Sequence, residues 1–223
     1  MKKTLLILSA IVLFFAGCKK DTLFEEGEVL DLGSINGYKY INLGLPSGLK
    51  WATCNLGADS PEGYGNYYAW GETTTKIDYS SSNNATSGLT ISELQSQGYI
   101  DGSGNLAPSH DAARANWGSS WRMPTKEEQQ ELIGNCTWTW TTQNGKNGYK
   151  VTGPNGNHIF LPAAGYREFS SLYDAGEYGY YWSSTPYPYD YYNRAYNLYF
   201  HDHYELVDGG NRCYGRTVRP VSE

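Results

Sequence analysis

The sequence has little basic charge, only 2 methionines, and no apolar run long enough to remain in a membrane as a helix. Lys and Arg number 17 against 23 Asp and Glu, a net charge of -6. The concentrated positive surface that holds a phosphate backbone is therefore missing, and nucleic acid is not an expected partner. The longest apolar run, Leu5 to Phe15, falls short of the roughly 20 residues that span a hydrocarbon core. There is no P-loop, no dinucleotide-binding glycine pattern and no Ser-His-Asp ordering. No segment repeats at a fixed period, which argues against a solenoid. Leucine is sparse, whereas Tyr reaches 21 and Gly 26, a balance that favours strands, turns and aromatic packing over a helical bundle.

What the beginning does contain is an address. Lys2 and Lys3 precede the apolar run and Ala16-Gly17-Cys18 follows it, the pattern of a secretion signal with small residues before a cysteine. Cleavage ahead of Cys18 and acylation of its thiol would hang a domain from a membrane by lipid. In the plainer alternative the signal is an ordinary secretory one and Cys18 an ordinary residue. Removing residues 1–17 deletes two lysines and no acid, which takes the formal charge from -6 to -8 (-6 - 2). Lys19 rather than an aspartate follows the cysteine, so an outer-membrane, cell-surface location is expected. Residues 18–34 carry charge with little periodicity and read as a tether. The rest suits one domain, 35–223.

Within that domain the sequence predicts an α+β fold. Tyr38 and Tyr40 face Leu49 to Trp51 across the Pro46-Ser47-Gly48 turn as a hairpin-like pair. Thr73 to Leu106, rich in Thr, Ser, Asn and Gly, reads as a long excursion with one short helix near Ile91 to Gln97. The stretch "WRMPTKEEQQELI" spells a helix start: Thr125 and Glu128 form a capping box, Pro124 forces an extended approach, and Gly134 offers a stop. Residues 137–161 alternate as a meander, "RAYNLYF" puts Tyr196, Leu198 and Phe200 on one face, and "GRTVRPV" closes the chain as a strand.

"LGLPSGLKWATCNLGA", "WGSSWRMPTKEEQQELI", "CTWTWTTQNGKNGYKV", "FLPAAGYR", "YYWSST" and "GRTVRPV", in that order, resemble the Fibrobacter succinogenes major paralogous domain of Bacteroidetes surface lipoproteins, over about residues 35–222. That family is similar in turn to the C-type-lectin-like fold of formylglycine-generating enzymes. The resemblance implies irregular, loop-rich antiparallel sheets with one or two short helices, and little about activity. Trp121, Arg122, Thr125, Glu128, Trp182, Arg216 and Arg219 fall in these motifs and are expected to be structural, the arginines as planar forks tying loop carbonyls or carboxylates. Cys54 and Cys136 also lie in them and are expected to pair, leaving Cys213 free.

Chemistry is thinly signalled. Formylglycine-generating activity needs two neighbouring thiols, and the last motif holds only Cys213. His201 and His203 sit two residues apart, on one face of a strand, with no third zinc ligand in sight. Asp101, Ser103 and Asn105 have the oxygen spacing of a calcium loop without its further carboxylates; no cofactor is expected, and calcium is the candidate ion. The densest feature is the tyrosine-rich stretch from Tyr178 to Tyr204. Tyr180, Trp182, Tyr196, Leu198 and Phe200 are assigned to the core, and Tyr187, Tyr189, Tyr191, Tyr192 and Asn193 to an exposed loop that meets a ligand. The expected function is a lipid-anchored surface module that binds an extracellular glycan or protein, as in adhesion. A structural subunit of a surface fibre and a formylglycine-generating-like metalloenzyme are the alternatives.

Overall fold

The computed structural model describes residues 32–188 and 193–223. Its strands are mostly antiparallel and its helices few, an α+β architecture. Strands β1 (Leu32–Ile35), β2 (Tyr38–Asn42) and β3 (Lys50–Ala52) form a sheet that the final strand, β12 (Val221–Ser222), completes in the order β1-β2-β3-β12. The expected β2–β3 pair is present, with Ile41 opposite Trp51. Leu32 to Ser34, read from the sequence as tether, pair with β2 instead.

The long excursion holds α1 (Ile91–Ser96), whose capping box of Thr90 and Glu93 sequence reading overlooked, and is followed by α2 (Ala112–Trp117). Helix α3 (Lys126–Asn135) starts where the capping box put it. It runs through Gly134 to a cap at Cys136, because that glycine stays helical and the turn comes from an extended Cys136. The meander is β4 (Thr137–Gln143), β5 (Lys146–Thr152) and β6 (His158–Pro162). A small hairpin, β7 (Tyr166–Glu168) and β8 (Ser171–Tyr173), precedes the central sheet of β9 (Gly179–Pro186), β10 (Arg194–His201) and β11 (Tyr204–Asn211), ordered β11-β10-β9.

The last motif is less of a strand than expected. Arg216 bridges Tyr68, Thr217 bridges Tyr181, and only Val221 and Ser222 pair with β3. The chain changes partner at each step, and Pro220 offers no N–H to a ladder.

Two apolar clusters meet at the central sheet. One gathers Ile41, Trp51, Leu132, Val151, Leu161, Leu198 and Phe200; the other gathers Trp70, Trp117, Trp121, Met123, Trp182 and Ala195. Because successive residues of a strand face opposite ways, β10 sends Leu198 and Phe200 into the first cluster and Ala195 from its other face into the second. Tyr180 and Tyr196, assigned to the core from sequence, are only half-buried. Ser183, Ser184 and Thr185 bulge from β9 opposite Tyr196, and the bulge docks the approach to α3. Ser184 N donates to Pro124 O at 2.8 Å, Thr185 Oγ1 accepts from Lys126 N at 3.1 Å, and Gln129 Nε2 donates to Tyr181 O at 3.0 Å.

Candidate functional site

The structural residues divide sharply. Trp121 is fully buried, donates its Nε1–H to Ile35 O at 3.1 Å and meets Trp117 edge-on at 5.2 Å. Arg122 forks both oxygens of Glu128, at 2.7 and 2.6 Å, and reaches Glu223 at 2.8 Å. Glu128 also accepts the Thr125 N–H at 2.8 Å. Arg219 donates to Asn55 Oδ1, Ala52 O, Thr53 O and Phe160 O at 2.8 to 3.1 Å, clamping the end of β3 and the segment after it to β6. Trp182 is fully buried and donates to Tyr68 O at 2.8 Å.

Arg216 departs from the expected role. It is buried, yet its guanidinium makes no hydrogen bond or ion pair with any described residue. It lies instead over the rings of Tyr180 and Trp182, 5.0 and 4.6 Å from their centroids. Gly210 opposite makes the room, since a Cβ there would overlap the guanidinium. Burial lowers its pKa to about 10, which leaves it charged at neutral pH. Stacking on two rings takes the place of the expected carbonyl fork among the described residues.

The remaining sequence candidates separate rather than converge. Cys136 and Cys213 are free thiols, so the Cys54–Cys136 link is not formed. Cys136 caps α3 and packs against the first cluster, whereas Cys54 follows β3 beside Thr53. Burial pushes the Cys136 thiol up to about 11 and raises that of Cys213, the opposite of an activated nucleophile. Asp101 Oδ1 accepts from Ser103 N and Oγ at 2.8 and 2.5 Å, while Asn105 Oδ1 accepts from Thr185 at 2.6 Å. These oxygens are engaged by protein donors, Asp101 closing a local turn and Asn105 reaching β9. His201 ends β10 and His203 lies in the turn to β11, so the two do not share a strand face. They flank Asp202 at 3.2 and 3.4 Å. No three His, Cys, Asp or Glu side chains converge as a metal group among the described residues.

Of the proposed ligand loop, Tyr189, Tyr191 and Tyr192 lie outside the described residues. Tyr187 and Asn193, which flank them, are engaged internally. Tyr187 packs on Tyr196 at 4.8 Å and against Gly209. Asn193, held at φ 55, accepts the Gly88 N–H at 2.8 Å.

The accessible aromatic surface lies on the sheet itself. Ring contacts run Tyr204–His201–Tyr178–Tyr180–Tyr166–Tyr173 at centroid separations of 6.0, 5.5, 6.3, 5.1 and 5.6 Å. Tyr199 joins at 5.2 Å from Tyr180, its direct cross-strand partner, and Tyr214 at 5.2 Å from Tyr166. These spacings are those of favourable aromatic pairs. Tyr204 is 51% and Tyr173 42% exposed, and the neighbouring hairpin adds Phe169 at 59%. Burial, then the charge of Asp174, holds the Tyr180 hydroxyl well above its ordinary range, so it remains a donor. Gly179 is what lets Phe200 close the inner face, because a Cβ there would overlap that ring. Part of the signal was present in the sequence: Tyr199 and His201 are spaced by two, the parity opposite to Leu198 and Phe200 on the same strand, and Tyr178 and Tyr180 repeat that spacing leading into the strand whose Tyr180 pairs with Tyr199.

At one end of this row, where the β4–β5 hairpin meets the β10–β11 turn, lies a cleft of about 320 Å³. Trp140, Asn147, Gly176, Glu177, Tyr178, His201 and Asp202 line it.

A family model described as a domain of unknown function (DUF8237) matches residues 64–221. The chain belongs to this family. No curated protein and no solved structure matches it. The matched DUF8237 segment contains the whole aromatic row from Tyr166 to Tyr214 and the cleft. It begins after β3, although β3 is the strand on which its last residues pair.

Proposed function

We propose that this chain is a lipid-anchored, cell-surface binding module with a C-type-lectin-like fold of the Fibrobacter paralogous-domain kind, recognising an extracellular glycan or protein. One observation carries the reading: the contiguous row of tyrosines on the solvent side of β9 and β10, extending to the β7–β8 hairpin. Packing needs explain the inner face of that sheet, where Leu198 and Phe200 are buried. They do not explain why the outer face carries rings instead of Thr, Lys or Glu. Tyrosines ordered by their neighbours lose little entropy on contact and offer both a face and a hydroxyl donor. The signal sequence, Cys18 and tether supply the address that an adhesion module uses.

The test is a glycan and extracellular-protein array probed with the intact protein and with a Tyr173→Ala/Tyr204→Ala variant, both exposed positions. A retained ligand that the variant releases supports the reading. An array with no retained ligand overturns it.

A further inference from the structure

We infer that the cleft between the β4–β5 hairpin and the β10–β11 turn receives a cationic side chain, an arginine or lysine presented by a protein partner. This rests on the binding-module reading and names the chemistry of one of its contacts. Trp140 and Tyr178 wall the cleft, and Glu177 and Asp202 bring two carboxylates to it, with no Lys or Arg in the lining. A cation there meets a ring quadrupole and a carboxylate together, and each strengthens the hold. An anion would meet two like charges.

The walls are already set. Trp140 is fixed by edge contacts to Tyr149 at 5.2 Å and Phe200 at 6.4 Å, and Tyr178 stacks on Tyr199 at 5.9 Å. Little side-chain entropy is left to lose on binding. The Glu177 carboxylate makes no hydrogen bond or ion pair with any described residue. Among the described residues, Asp202 pairs with the two flanking imidazoles. Size argues for one side chain rather than a row of sugars, since about 320 Å³ stands at the small end of ligand cavities. A planar guanidinium also matches carboxylates as a fork, which an amino sugar does not. The net charge of -6 steers cationic partners toward the molecule.

Calorimetric titration of the full chain in detergent with a short oligo-arginine peptide tests this. The comparisons are the citrulline isostere of that peptide and a chitosan oligomer. Oligo-arginine should bind and the uncharged isostere should not. Glu177→Gln with Asp202→Asn should weaken binding about tenfold or more. Glu127→Gln, which removes an exposed charge on α3, should leave it unchanged, separating the cleft from bulk charge. Equal affinity in the cleft variant, no oligo-arginine binding, or preference for the chitosan oligomer overturns the inference. Tyr173 and Tyr204 do not line the cleft. An array ligand that depends on them while oligo-arginine fails to bind therefore sinks this inference and leaves the broader reading standing.

Discussion

Arg216 and Arg219 stand three residues apart, both buried, and do opposite things. Arg219 donates to four acceptors in the interior, so Arg219→Met removes all four bonds at once and should cost about 3 kcal/mol or more. Arg216 keeps a charge from water over two aromatic faces, with no hydrogen bond or ion pair to a described residue. Replacing such a group by an apolar side chain of similar volume is often neutral or stabilising, so Arg216→Met should hold or raise the melting temperature. Thermal melts of the two variants check both. A large loss in Arg216→Met would mean that stacking outweighs desolvation. Residue types alone could not separate them, since "GRTVRPV" places both arginines in one motif, and only the backbone crossing shows which fork finds carbonyls.

At the level of elements, the approach to α3 ties three parts of the fold together. Its capping box fixes where the helix starts, Arg122 bridges Glu128 to Glu223, and the β9 bulge receives Pro124 and Thr185 receives Lys126. Thr125→Ala should therefore cost about 1 kcal/mol, the ordinary worth of an N-cap, read as a shift in denaturant midpoint with unchanged slope. A loss several times larger would show that the cap also holds the bulge. Elements with local signals were legible: the capping box, the β2–β3 turn and the alternating meander each follow from a few adjacent residues. The bulge at Ser183 to Thr185 was not, because it exists to meet Pro124 and Leu106 from distant sequence. Nor was the Cys54–Cys136 separation, which depends on α3 and β3 delivering their ends to different places.

Across the whole molecule, sequence parity divided β10 correctly at Leu198 and Phe200 but assigned Tyr180 and Tyr196 inside. A sheet that buries opposite faces at its two ends cannot be read from alternation alone. The consequence is functional. The rings that remain outside, from Tyr204 to Tyr173, line up across strands that the sequence keeps apart, and the cleft adds Trp140 from the meander. Sequence reading placed the ligand surface on the loop that includes Tyr189 and Tyr191, which lie outside the described residues; the sheet face offers a second surface. The most direct measurement is the affinity of an array-selected ligand for two variants, Tyr173→Ala/Tyr204→Ala and Tyr189→Ala/Tyr191→Ala. Binding at the sheet face predicts at least a tenfold loss in the first, with an unchanged melting temperature. Full affinity in the first variant, with loss confined to the second, would contradict it.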